Sequence, residues 1–278
     1  MILFKDMQIK SIIELALSED ISHGDWTTDL CVEASIKSTA EIISKCSTIV
    51  AGVDVIKSVF NLVDPEIQLD FDVLDGDKVN SGDRVVSISG LAHSILKGER
   101  VAMNFLGRMS GIADMTRKFA DKISHTSAEL LDTRKTTPGL RVIEKRASRI
   151  GGARNHRMCL SDGVLIKENH IRAAGSIAKA FDKLTSLPPT IKIEVETTCL
   201  EEVEEALFAG ADIIMLDNMS TDDMKKAVLI VAGKALVEVS GNVSLDNIAD
   251  IATTGVDFIS TSAMFHSSKW SDFTLLVC

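Results

Sequence analysis

The sequence has no apolar run approaching the ~20 residues that a membrane-spanning helix needs, and Met1–Lys10 lacks the layout of a signal peptide. A soluble, cytoplasmic protein is the expectation. It also lacks a basic excess. Thirty Lys and Arg stand against forty Asp and Glu, for a net charge of −10 and a pI near 5.1. Nucleic acid and acidic membrane surfaces are therefore poor main partners. No CxxC pair occurs, and the five cysteines (Cys31, Cys46, Cys159, Cys199, Cys278) are odd in number and scattered, as reduced thiols are. Nothing around Cys159 resembles a nucleophile elbow, and no Ser-His-Asp or Cys-His arrangement is visible.

What is present is ordinary for a globular protein: 278 residues, 45% hydrophobic and 25% charged. That length suits one barrel-sized domain, or a barrel with a smaller partner. Met7–Glu19 carries apolar residues at helical spacing, and EDISHGDWTTDL reads as a turn-rich connector in which Thr27 and Thr28 are strand or cap residues. Ser38–Val50 is β-prone, Gly52–Val63 helical, and Ile67–Leu74 and Arg84–Leu96 strand-like around the turn DGDKVNSGD. A long helix is expected from Gly98 to about Ile123.

Beyond it the pattern becomes strand, polar tip, helix. The expected strands are Ala128–Asp132, Gly163–Lys167, Thr190–Glu196, Asp212–Leu216, Ala235–Val239 and Val256–Ser260. Each is a short apolar run, as parallel strands covered on both faces should be. Leu200–Ala209, Thr221–Ala232 and Leu245–Thr253 read as the helices between the later ones. Six βα units are too few for a full eight-stranded barrel, so an incomplete α/β (TIM-like) barrel is expected, with a doubly wound open sheet as the alternative. The expected domains are an N-terminal α/β sandwich over 1–112, with the tail 266–278 a candidate addition, and a barrel over 113–265.

Charge is distributed unevenly. Between Asp132 and Arg172 ten Lys or Arg face four acids, a local balance of +6 in a chain of −10. Such an island fits a site for small, strongly anionic ligands. In a barrel, chemistry sits just past the carboxyl ends of the strands. Polar groups fall there six times in series: Thr133-Arg134-Lys135, Lys167-Glu168-Asn169-His170, Glu194 and Glu196, Asp217-Asn218, Ser240-Gly241-Asn242, and Thr261-Ser262. Arg matches carboxylate and phosphate bidentately. Several Arg with Lys and His156 imply more than one anionic group, while Glu196 and Asp217 suit Mg²⁺ or sugar hydroxyls. Small residues at the last tips leave helix starts open to phosphate. Arg141, Lys145, Arg146 and Arg149 are expected to be mostly a solvated helix face, and Glu194 a structural neighbour of a working Glu196.

The motifs DTRKTTPGLR, GGARNHR, LSDGVLIKENH, KIEVE, IIMLDN, EVSGN and GVDFIS, in this order and preceded by GERVAMNFLGRMSGIA and LALSEDISHGDWTTD, resemble the quinolinate phosphoribosyltransferase family. The likeness covers essentially the whole chain. It implies an α/β barrel beside an N-terminal sandwich, at least a homodimer with shared active sites, and Mg²⁺-dependent transfer of phosphoribosyl from 5-phosphoribosyl-1-pyrophosphate to quinolinate with loss of CO₂. It also implies roles. Arg134, His156, Arg157 and Lys167 would hold the quinolinate carboxylates, with Arg100 from the neighbouring subunit. Lys135 and Lys167 would face pyrophosphate, with Thr136 beside them. Glu196 and Asp217 would take ribose hydroxyls and metal, and Ser240, Gly241, Asn242, Ser262 and His266 the phosphate end. Catalysis would fall to Lys135, Lys167, Glu196 and Asp217. Two departures stand out: Ala153 where a third Gly is common, and Ser262 where Gly is. A paralogous group associated with molybdenum transport has a similar TSA ending, and a non-catalytic metabolite-binding homologue or a plain barrel isomerase are the other readings.

Overall fold

The computed structural model of the chain describes residues 2–278. Two compact units emerge. The first takes in the chain as far as Arg117, together with Thr136–Gly152 and Met264–Cys278; the second takes in Lys118–Lys135 and Ala153–Ala263. The chain opens with α1 (Ile2–Asp20), α2 (Trp26–Cys31), β1 (Lys37–Ser44), β2 (Thr48–Ile49), α3 (Val53–Val63), β3 (Gln68–Phe71), β4 (Lys78–Val79) and β5 (Arg84–Leu91). The long α4 (Ala92–Ile123), β6 (Glu129–Leu131) and α5 (Arg141–Gly151) follow. Strands then alternate with helices: β7 (Val164–Ile166), α6 (Glu168–Ala174), α7 (Ile177–Phe181), β8 (Ile193–Thr197), α8 (Leu200–Ala209), β9 (Ile213–Asp217), α9 (Thr221–Val231), β10 (Leu236–Ser240), α10 (Ile248–Ala252) and β11 (Phe258–Ser260). The chain finishes with α11 (Ala263–His266) and β12 (Phe273–Val277).

In the first unit an antiparallel sheet runs β12-β1-β5-β3. The C-terminal strand thus pairs with the first one, Ile42 opposite Leu275. Strand alternation turns Ala40 and Ile42 of β1 inward with Val86 and Ile88 of β5, and these are fully buried. Ile56, Phe60, Ile95 and Leu106 are also fully buried helical residues of this unit. Each such side chain contributes roughly 1.5–3 kcal/mol by leaving water. The connector after α1 becomes α2, capped by Asp25, whose carboxylate accepts the Thr28 N–H at 3.0 Å.

Two expectations need correction. Residues 92–96 are helix rather than strand. Gly98 reads in sequence as a helix start, but it lies inside α4, where a Cβ would come within 2.7 Å of the Phe60 ring. Its smallness serves close packing. Nor is α5 a solvated face: Lys145 and Glu144 are fully buried. Glu144 accepts from Arg108 Nη2 at 2.7 Å and Nε at 3.0 Å, and Arg146 pairs with Asp54 at 2.6 Å. Buried charges persist where partners are built for them. Arg149 alone of the four cations is exposed.

The second unit holds a six-stranded parallel sheet in the order β6-β11-β10-β9-β8-β7. Chain neighbours are sheet neighbours throughout, save that the first and second strands, β6 and β7, are the unpaired edges. That is a barrel interrupted at one seam, the incomplete α/β barrel expected. All six expected strands are present: β6, β7 and β11 are trimmed, whereas β8, β9 and β10 begin later and run one residue further than expected. The helix expected over Leu245–Thr253 contracts to α10 because Asn247 holds the preceding residues in a turn: its Oδ1 accepts the Ser244 N–H at 2.8 Å and its Nδ2 donates to the Asn242 carbonyl at 3.0 Å.

The glycines of GERVAMNFLGRMSGIA have a local cause as well. The segment before β12 crosses α4 so closely that the Ser271 N–H bonds the Gly107 carbonyl at 3.0 Å, and a Cβ at Gly111 would sit 2.0 Å from the Lys269 carbonyl oxygen. Backbone cannot yield as a flexible side chain does. Gly111→Ala is expected to cost about 1–3 kcal/mol, the usual range for overpacking. Thermal unfolding checks this; an unchanged Tm would contradict so tight a crossing.

Candidate active site

Alternation along parallel strands builds one cavity in the second unit. Leu165 and Lys167 of and beside β7, Glu196 of β8, Met215 and Asp217 of β9, Glu238 and Ser240 of β10 and Ser260 of β11 all line it. The residues on each strand are two apart, so they share a face. The lining is completed by Thr133, Arg134 and Lys135 after β6, by His156 and Arg157, and by the tips Asn218, Gly241 and Asn242. The cavity measures about 630 Å³, room for a pair of small polar ligands. A larger depression of about 1010 Å³ lies among residues at the amino ends of strands. Three of its charged groups are tied to the sheet: Lys192 pairs with Asp212 at 2.6 Å, and Asp257 accepts the Val237 N–H at 2.8 Å. Chemistry belongs to the first.

Asp132, fully buried at the end of β6, organises the loop that brings in two of the cavity's side chains. It accepts the His156 N–H at 2.9 Å and the Asn155 amide at 2.6 Å. Asp162 closes the next turn through the N–H groups of Met158 and Cys159. Arg157 is held in turn by donating to the Gly163 carbonyl at 3.0 Å. Partial burial lowers the pKa of this guanidinium, and the neighbouring positive charge of Arg134 lowers it further. It remains a cation. Two guanidinium groups in mutual repulsion within a recess describe a place prepared for an anion.

Across the cavity Lys167 forms an ion pair with Glu196. Asp217 is tied into a relay: Asn242 donates to Asn218 at 2.8 Å, and Asn218 donates to Asp217 at 2.9 Å. Both asparagines take left-handed backbone angles, φ 56° and 49°, at adjacent strand tips. Asn tolerates that conformation better than most residues. Gly241 between them has φ 87°, and a Cβ there would strike the Asn218 amide at 2.4 Å. The LDN and SGN motifs therefore form one rim.

His156 is engaged inside the protein. Its Nδ1 accepts the Arg157 backbone N–H at 2.8 Å, so the ring proton sits on Nε2, which faces Glu194 Oε2 at 3.1 Å and Glu238 Oε2 at 3.6 Å. Both glutamates are buried. Burial first, then the charge of Glu194, pushes the Glu238 carboxyl up to about 8, against a smaller opposing effect of His156. The three ligand atoms are close enough to surround a cation. A ring N–H directed at one carboxylate beside a carboxyl that keeps its proton makes this a proton-sharing cluster instead. Glu196 and Asp217 offer the oxygen-only pair that suits Mg²⁺.

The remaining expected site residues lie elsewhere in the chain's organisation. Ser262 follows the buried Thr261, whose hydroxyl donates to the Val243 carbonyl at 3.2 Å; it is not among the lining residues, whereas Ser260 is. Arg100, Thr136 and His266 belong to the first unit. Arg100 is exposed on α4, 4.0 Å from Glu99; Thr136 Oγ1 accepts from Arg141 Nε at 3.1 Å; and the His266 ring lies 2.9 Å from the Ser267 hydroxyl. Sequence reasoning passed over Glu238 and Ser260. Glu238 stands two residues before Ser240 in a strand, so period-two spacing carries it to the same face.

Comparison with known proteins agrees with the geometry. The family model described as quinolinate phosphoribosyl transferase, C-terminal domain, matches residues 112–276, and its N-terminal counterpart matches residues 25–110. The chain belongs to the quinolinate phosphoribosyltransferase family. It is 46% identical over 265 residues to a probable nicotinate-nucleotide pyrophosphorylase [carboxylating] of Synechocystis sp., covering 94% of this chain and 90% of the relative. A quinolinate phosphoribosyltransferase [decarboxylating] of Nicotiana tabacum is 41% identical, with 97% and 82% covered. The solved nicotinate-nucleotide pyrophosphorylase of Francisella tularensis superposes with a TM-score of 0.94 at 43% identity, over 99% of this chain and 97% of that one.

The crowded guanidinium pair makes a prediction that requires no knowledge of the substrate. Arg157→Ala should weaken binding of phthalate, a simple aromatic dicarboxylate, by about 10- to 100-fold in calorimetry, the worth of one charge-assisted contact of 1.5–3 kcal/mol. Equal affinity in variant and wild type would remove Arg157 from the anion site.

Proposed function

We propose that this protein transfers the phosphoribosyl group of 5-phosphoribosyl-1-pyrophosphate to quinolinate and releases pyrophosphate and CO₂, forming nicotinate mononucleotide for NAD synthesis. The observation that carries this reading is the segregation of charge around one cavity: Arg134, Lys135 and Arg157 in its lining with Glu196 and Asp217. Two anionic reactants need the cations, and a sugar that turns electron-poor needs the acids. Membership of the family supports it, and no membrane-spanning helix occurs among the described residues.

In this reading Arg134 and Arg157 grip the quinolinate carboxylates, with His156 fixing the loop from which Arg157 projects. As the bond to pyrophosphate lengthens, positive charge grows on the anomeric carbon. Glu196 and Asp217 face that charge and take the ribose hydroxyls, while Lys135 and Lys167 draw off the negative charge of the departing pyrophosphate. Preorganised charge of this kind is commonly the largest catalytic term. The ring nitrogen attacks the anomeric carbon held in line, and no side chain needs to act as nucleophile. The new pyridinium then withdraws electrons from the 2-carboxylate, and CO₂ leaves. Ser240, Gly241 and Asn242 receive the 5′-phosphate. Glu196 and Asp217 would hold Mg²⁺, which would supply neutralising charge for the pyrophosphate. The active unit is at least a dimer in the cytoplasm, with Arg100 reaching a neighbour's cavity.

Incubation with carboxyl-labelled quinolinate and 5-phosphoribosyl-1-pyrophosphate should release labelled CO₂ and yield nicotinate mononucleotide. Chelation of divalent ions should abolish this and added Mg²⁺ restore it. Lys167→Ala should lower kcat by about 10²–10³. Binding of both substrates without product at saturating Mg²⁺ would overturn the assignment. Arg100→Ala and Arg157→Ala should each be nearly inactive alone, yet recover part of the wild-type rate when mixed and allowed to exchange subunits; no recovery contradicts a shared site.

A further inference from the structure

Loss of CO₂ from the 2-position leaves an electron pair on that ring carbon, and the product carries hydrogen there. A proton must arrive. Glu238 meets the requirements for its source. It lines the cavity, is fully buried, and neither carboxyl oxygen has a hydrogen-bond partner among the described residues. The groups facing it are Glu194 from β8, the His156 ring, Lys167 beyond β7, and the Ser260 hydroxyl of β11, which is near enough to lower its pKa slightly without a well-formed bond. Glu194 stands 3.1 Å from His156 Nε2, whereas Glu238 at 3.6 Å lies beyond hydrogen-bond reach, so the single ring N–H serves Glu194 alone. One imidazole proton cannot compensate two buried negative charges, and the second group keeps its own proton. A glutamic acid held near 8 is loaded at neutral pH, where an ordinary carboxylate is empty, yet it is a stronger acid than ordinary ammonium or guanidinium groups.

We infer that Glu238, backed by Glu194 and His156, is the acid that hands a proton to the ring carbon vacated by CO₂. This rests on the phosphoribosyl-transfer reading above. The bond between ring carbon 2 and its carboxylate breaks, and the pair of electrons stays on carbon 2. The O–H bond of Glu238 then breaks, its proton forms the new C–H bond, and Glu238 is left as a carboxylate. It regains a proton from water once product departs. No other reactant is consumed.

The test compares wild type with Glu238→Gln, which keeps shape but has no acidic proton. The expected result is a kcat lower by about 10²-fold or more, the usual contribution of a positioned acid, with quinolinate affinity measured by calorimetry within about threefold. Wild-type kcat should fall as pH rises through the range around 8, because the protonated form is required, and the variant should lack that limb. Glu194→Gln removes the neighbouring anion and should move the limb to lower pH, which decides the matter if Glu238→Gln fails to fold. Stability gives a readout independent of turnover. A carboxyl whose folded pKa is raised penalises the folded state progressively as pH climbs from the ordinary glutamate range to about 8. Glu238→Gln should therefore gain Tm relative to wild type between pH 5 and pH 9. A variant with unaltered kcat and the same alkaline limb, a loss confined to quinolinate affinity, or a Tm difference independent of pH would each overturn the inference. Absence of nicotinate mononucleotide with the wild-type protein would instead sink the functional reading beneath it.

Discussion

Repulsion between like charges, held close and partly out of water, is the constraint from which the site follows. Burial depresses the Arg157 pKa first, and the positive charge of Arg134 lowers it further. Such an arrangement costs free energy in the empty protein, and the surrounding fold must hold it in place. Asp132 does so from beneath β6, and the Gly163 carbonyl from the start of β7. An anion arriving between the cations relieves the repulsion, so binding and positioning become one event.

The same face carries an opposite problem. Glu194 and Glu238 are both buried around one imidazole, and the cluster resolves its excess negative charge by retaining a proton. Crowded cations on the loops between β6 and β7 and crowded acids on β8 and β10 thus belong to one unit. Neither is an accident of the surface. Strand alternation puts Glu196, Asp217 and Glu238 on the cavity face, and the parallel sheet brings the carboxyl ends of their strands together. The left-handed tips at Asn218 and Asn242 then fix the orientation of Asp217.

Much of this was legible in the sequence because it depends on local periodicity. The six parallel strands announce themselves as short apolar runs, and the charged tips follow at their ends. Tertiary packing hid the rest. Gly98 looks like a helix boundary until Phe60 is placed against it, and Lys145 looks solvated until α5 is seen buried along most of its length. His156 reads as one more cationic ligand; only the Arg157 N–H on its Nδ1 shows that its remaining proton is directed toward glutamates. Glu238 is hidden for a simpler reason, since a single carboxylate inside EVSGN carries no mark of burial. Its neighbour Glu194 reads in sequence as structural, and the structure gives it a partner in His156 rather than a place in the cavity lining.

The account's central claim is that the guanidinium groups of Arg134 and Arg157 face one anion. A crystal structure of the protein soaked with quinolinate tests it most directly. The account predicts carboxylate oxygens within about 3 Å of both guanidinium groups, the distance of a charge-assisted hydrogen bond. Quinolinate seated elsewhere, with the two arginines turned away from it, would contradict the account.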